Sequence, residues 1–235
     1  MDTYSDDIGN MKIIAIILLI FSYGLAHGEN IPSTCYGTPQ EGHLINGWQL
    51  PSSGKNFSAY NSVGVLLGRN YVHSKVYSVI LAAYKELETS APEKVFVYGE
   101  SGFKEGGQIK PHVTHRNGLS VDFFVPVVNT KDVSVKLPTS VLNKFGYSIE
   151  FNEAAKFENY QIDFEAMAKH LLAIQKAAKA QNVVIRIVIF DNAFQKMLFT
   201  TPTGKSLPSL MQFSVKKPWV RHDEHYHIDF EVACK

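Results

Sequence analysis

Three histidines fall within six residues near the C-terminus, in Pro218-Trp219-Val220-Arg221-His222-Asp223-Glu224-His225-Tyr226-His227. They lead directly into the alternating run Tyr226-His227-Ile228-Asp229-Phe230-Glu231-Val232. If that run is a strand, Tyr226, Ile228, Phe230 and Val232 share the buried face, and His225, His227, Asp229 and Glu231 share the other. His225 and His227 then project side by side from a rigid element, as a metal ligand and a neighbouring base would need to. A second cluster lies upstream, in Pro111-His112-Val113-Thr114-His115-Arg116-Asn117-Gly118-Leu119-Ser120-Val121-Asp122-Phe123-Phe124-Val125. There Leu119, Val121, Phe123 and Val125 alternate onto a core face and Asp122 stands on the opposite one.

Two strands thus offer one carboxylate and up to five imidazoles. A catalytic zinc commonly takes three ligands from His and carboxylate and keeps the fourth position for water. His115, Asp122 and His227 supply such a set. His225 would sit beside the ion as the proton acceptor, while His222 and His112 would orient the water or stabilise an oxyanion. A His-x-His pair alone is weak, because alternating polar faces produce it by chance. The conjunction of two such strands is what raises metal binding above that reading. Gly99-Glu100-Ser101-Gly102 and Glu105-Gly106-Gly107 lack the endings of a phosphate loop and read as turns around the site; Glu100, Ser101 and Glu105 could touch substrate there, but turn chemistry explains them as well.

The elements that must carry these residues are readable in outline. Apolar positions from Val72 to Leu87 recur at helical spacing, and Asp163 to Ala180 is a second amphipathic helix with Asp163 at its start. Val95 to Tyr98, the segment leading to Asp122, Val183 to Phe190 and Tyr226 to Val232 read as strands. His170 on the second helix reads as solvent-facing or structurally satisfied, and His27, His43 and His73 stand isolated. The stretches 127–157 and 200–217 lack periodicity and are expected to wall a cleft.

The chain has 235 residues, 45% hydrophobic and 12% aromatic, with a formal net charge of +1. That is enough to bury a core and gives no electrostatic reason to expect nucleic acid as a partner. The run Ile13 to Phe21 followed by Gly24-Leu25-Ala26 reads as a secretory signal peptide over residues 1–26, or as an uncleaved inner-membrane anchor. Asp2, Asp6 and Asp7 suit a signal poorly, and translation from Met11 would remove them. Residues 27–62 read as an irregular entry segment and 63–235 as the catalytic core. Cys35 and Cys234 are the only cysteines. In an exported protein such a pair invites a disulfide, the alternative being two free thiols.

The pattern His112-x-x-His115-x-x-Gly118-Leu119-x-Val121-Asp122, with Pro218-Trp219-x-x-His222-x-x-His225-x-His227, resembles the penicillin-insensitive murein endopeptidases. These belong to the superfamily of zinc peptidases shared by lysostaphin-type enzymes, D-alanyl-D-alanine carboxypeptidases and hedgehog domains. The openings Cys35-Tyr36-Gly37-Thr38-Pro39 and Asn46-Gly47-Trp48-Gln49-Leu50-Pro51 extend the likeness. The resemblance implies an α+β fold, a small, mainly antiparallel sheet flanked by helices with the zinc site on its polar face. It implies one zinc per chain on His115, Asp122 and His227, His225 as base, and His112 and His222 as accessory site histidines. The substrate would be peptide cross-links of peptidoglycan in the periplasm, with any membrane association made through the signal or anchor segment. Ser120 departs from the family, where a further Asp often stands, so the hydrogen bonding around the site is expected to differ. Two other readings keep the site: a zinc-bearing module that binds peptidoglycan or a protein without cleaving it, and a D-alanyl-D-alanine carboxypeptidase or L,D-endopeptidase.

Overall fold

The alternating run at the C-terminus forms the strand His225–Glu231, and the segment ending at Phe124 forms Ser120–Phe124. The two pair antiparallel with His227 opposite Asp122, His225 opposite Phe124 and Asp229 opposite Ser120. Directly opposed residues share a sheet face, so this register alone sets His227 against Asp122. The structure is a computed structural model that describes residues 31–216 and 220–235. The expected signal or anchor segment, His27, and Pro218-Trp219 of the C-terminal pattern lie outside the described residues.

Around this pair a five-stranded sheet runs in the order Val184–Ile189, His225–Glu231, Ser120–Phe124, Phe96–Tyr98, Phe57–Ala59. Only the last pairing is parallel. Small two-stranded and four-stranded sheets accompany it. The fold is therefore α+β and mainly antiparallel. Two long helices, Ser74–Ser90 and Phe164–Ala180, bury stripes at helical spacing: Val76, Val79, Ile80, Ala83 and Leu87 on the first, Met167, His170, Leu171 and Ile174 on the second. Asp163 caps the second by accepting from the Ala166 amide at 2.9 Å, which satisfies one of its unpaired donors. His73 caps the first in the same way through Lys75 N–H.

His170 faces neither solvent nor cleft. It is buried between the helices and the sheet, stacked on Tyr84 and Phe96 with Nδ1 2.5 Å from the Tyr226 hydroxyl. The face carrying Tyr226, Ile228 and Phe230 is thus the helix-covered core.

One expectation needs correction. Residues 27–62 are not irregular throughout, because short strands at Thr34–Gly37, Gly42–Ile45, Trp48–Gln49 and Phe57–Ala59 lie there, the last completing the central sheet. Strands this brief give the alternation too few residues to register. The polar face of the sheet is covered, since every residue from His225 to Phe230 is buried. Period two says which side chains share a face, not what covers it. The helix Asn192–Thr200 carries no expectation from the sequence, although Asp191 caps it by accepting from Ala193 and Phe194 N–H.

Candidate active site

The sheet face away from the helices meets a cavity of about 910 Å³, whose lining includes Glu100, His112, Tyr147, His222, His225 and His227. The expected cleft walls do contribute, through Val141, Lys144 and Phe145 from one stretch and Ser214 and Lys216 from the other. His115 and Asp122 lie fully buried beside the lining histidines. His43 stacks on Tyr36 and His73 serves its helix cap, so neither joins the cavity lining.

Three electron-rich atoms converge here. His115 Nε2 lies 3.1 Å from His227 Nδ1 and 3.3 Å from Asp122 Oδ1, and His227 Nδ1 lies 2.8 Å from that same oxygen. Ligands at 2.0–2.1 Å around a tetrahedral ion stand about 3.3 Å apart, close to this triangle. Each ring is oriented from behind. His115 Nδ1 donates to the Ser101 carbonyl at 3.0 Å, and His227 Nε2 donates to Asp229 Oδ1 at 2.8 Å. These partners hold the outer nitrogen of each ring and leave the other nitrogen aimed inward, where its lone pair can bind an ion once any proton there is displaced, the arrangement that metal-binding histidines use.

The backbone is bent to achieve this. His115 has φ 69°, in the left-handed region that a non-glycine residue occupies at a cost and that clusters at functional sites. Gly99 lies so close to the site that a Cβ there would stand 2.8 Å from the Tyr147 hydroxyl and 3.0 Å from Asp122 Cβ.

The charges follow from this packing. Burial resists charge on His227, but Asp229 and Asp122 outweigh it and push the ring up to about 10. A proton thus fills the triangle when no cation does. Burial also works against Asp122 as an anion, yet the surrounding histidines hold its carboxyl well below the usual range. Burial depresses His115, and pushes His225 down to about 4 and His222 to about 3. At neutral pH those three rings are uncharged.

His112 belongs to the same group, since ligand atoms of His112, His115 and Asp122 lie within 4.8 Å of one another and could hold a metal ion. Its Nδ1 is 3.7 Å from Asp122 Oδ2, while its Nε2 is 2.7 Å from Glu100 Oε2. Glu100 in turn receives Arg69 through both carboxylate oxygens, at 2.5 and 2.8 Å, and the Tyr60 hydroxyl. Burial would raise Glu100, but His112 and Arg69 hold it down at about 2. The turn reading of Glu100 is therefore too modest, because it is a buried anion that orients His112.

His225 Nδ1 lies 2.8 Å from Glu224 Oε1, which leaves Nε2 directed towards Asp122 Oδ2, 3.9 Å away. His222 packs on His225 with ring centroids 4.5 Å apart, and its Nδ1 donates to the Val220 carbonyl at 2.8 Å. The departure at Ser120 also has a structural consequence. Its hydroxyl donates to Asp229 Oδ1 at 2.5 Å, and Arg186 pairs with Oδ2, so the carboxylate behind His227 is fully engaged.

Sequence reasoning missed Tyr147, Arg69 and the partnership of Glu224 with His225. Asp229 was within reach, since it shares a strand face with His227 two residues away. Tyr147 lies in an aperiodic stretch that gives no signal.

A buried His and Asp cluster oriented by further carboxylates, at the base of a cavity, is the architecture of a hydrolytic centre. A family model places this chain accordingly: it belongs to the penicillin-insensitive murein endopeptidases, matched over residues 35–235. It is thus an enzyme of the peptidase class acting on peptidoglycan. A comparison with curated proteins returns no match.

Proposed function

We propose that the protein is a zinc-dependent endopeptidase that hydrolyses peptide cross-links of peptidoglycan in the periplasm. The observation that carries this reading is the triangle of His115 Nε2, Asp122 Oδ1 and His227 Nδ1, with both rings held from behind by Ser101 and Asp229. Two imidazoles and one carboxylate oxygen are a donor set that zinc accepts, with a position left for water. When bound there, zinc supplies a Lewis acid that polarises the scissile carbonyl and acidifies water.

The side chains do the rest. His225, kept neutral by burial and held through Nδ1 by Glu224, offers Nε2 to the proton of the attacking water and then delivers it to the leaving amine. His112, anchored by Glu100 and Arg69, and His222 flank that position and face the oxygen that gains charge. No serine nucleophile enters, which agrees with insensitivity to β-lactams, since those compounds acylate a serine. Export fits a wall substrate and the Cys35–Cys234 disulfide.

Two substitutions separate the roles. His227→Ala is expected to lose zinc and activity together. His225→Ala is expected to keep zinc near one per chain while turnover falls roughly a hundredfold or more. Metal analysis beside cleavage assays reads both. An empty His225→Ala protein beside a loaded His227→Ala protein would exchange the assignments.

A further inference from the structure

The carboxylate of Asp122 has two oxygens with different neighbours. Oδ1 faces His115 and His227, whereas Oδ2 accepts a hydrogen bond from the Tyr147 hydroxyl at 2.9 Å. The other groups near Oδ2, His112 Nδ1 at 3.7 Å and His225 Nε2 at 3.9 Å, stand beyond hydrogen-bond range. Among the described residues, Tyr147 is therefore the only hydrogen-bond donor to that oxygen.

The hydroxyl is itself fixed, accepting from Glu100 N–H at 3.0 Å. The ring is held edge-on by His225 and His112, with centroids 5.0 and 5.5 Å away. The preceding turn, over which Lys144, Phe145 and Gly146 have φ of 52°, 62° and 104°, delivers the ring to this place. Lys144 and Phe145, two successive non-glycine residues in the left-handed region, make a costly conformation that persists only where its surroundings enforce it. Val141, Lys144 and Phe145 of the same turn line the cavity.

We propose that Tyr147 is a positioning residue that ties up Oδ2 and so holds Asp122 as a one-oxygen metal ligand, keeping a coordination position open for water. This rests on the reading of His115, Asp122 and His227 as the ligand set. A carboxylate free at both oxygens can bind an ion through both and fill the position that water needs. Tyr147→Phe keeps the ring between His112 and His225 and removes only the donor. Oδ2 is then unpaired in a buried place and turns to the ion.

The test loads purified protein with cobalt(II) alone and records its visible absorption, which is intense for four ligands and weak for five or six. Wild type is expected to show the intense band. Tyr147→Phe is expected to show a weakened band and a cobalt dissociation constant changed by roughly tenfold or more, as for other residues that orient ligands. A variant that matches wild type in spectrum and affinity overturns the proposal. A wild type that binds no cobalt overturns the underlying ligand set instead, a separable result. Should Tyr147→Phe fail to fold, infrared difference spectra of wild type on adding zinc decide the matter. A wide splitting of the carboxylate bands is the one-oxygen mode expected, and a narrow splitting contradicts it.

Discussion

His227 Nδ1 stands 2.8 Å from Asp122 Oδ1, so a cation bound between them must take the place of any proton there, and this makes cation binding measurable through protons. The His227 pKa, pushed up to about 10 by Asp229 and Asp122 against the effect of burial, keeps that ring charged at neutral pH. A cation that takes the Nδ1 lone pair must displace this proton, so zinc uptake near neutral pH is expected to release about one proton per ion. Calorimetric titration in buffers of different ionisation enthalpy counts it. Zinc binding with no proton release would mean that His227 is not a ligand. At this scale the sequence is legible where periodicity is: alternation puts His227 and Asp122 each on the polar face of its own strand, and the register of the folded sheet sets them opposite one another. It is silent on Tyr147 and Arg69, which come from turns and aperiodic segments and meet the site only through the folded chain.

The elements show the same division. Both long helices and the central strands follow from apolar spacing and caps, whereas the two-residue and three-residue strands are too short for a period to register. His170 shows what a helix position can hide. Placed beside Lys169, it reads as either solvent-facing or structurally satisfied, and the second holds: it lies on the stripe of Met167, Leu171 and Ile174 and packs on the sheet. Burial pushes it down to about 3 from an ordinary value of 6.5. The unfolded chain therefore takes up a proton below about pH 6.5 that the folded protein refuses until about pH 3. The stability tied to this group is complete above pH 6.5 and is lost as pH falls towards 3, by on the order of 5 kcal/mol. His170→Phe, which retains an aromatic ring, is expected to show a smaller loss of urea stability between neutral pH and pH 4.5. An identical loss in wild type and variant would assign the acid sensitivity elsewhere.

Over the whole molecule, the two ends of the described catalytic unit are joined. Cys35 and Cys234 form a disulfide across a sequence separation of 199, and Lys235 N–H donates to the Cys35 carbonyl while Gly37 N–H donates to that of Lys235. The terminal strand carries His225 and His227 just upstream, so this closure protects the site from fraying. Closing so long a loop is worth up to about 5 kcal/mol in the chain-entropy model. Reduction, or Cys35→Ser with Cys234→Ser, is expected to lower the unfolding temperature by several degrees. An unchanged temperature would show that the bond adds nothing to stability. The number of cysteines suggests the pair, but only the strand register and the return of the C-terminus to the first hairpin bring them together.

Metal-dependent cleavage of the cross-link is tested most directly by mass spectrometry of purified cross-linked peptidoglycan fragments incubated with the protein, with and without a chelator, and after zinc is restored. The expected result is conversion of cross-linked dimers to monomers by addition of one water, abolished by chelation and recovered with zinc. Dimers left intact by zinc-loaded protein, or cleaved equally well by protein shown to be free of metal, would contradict it.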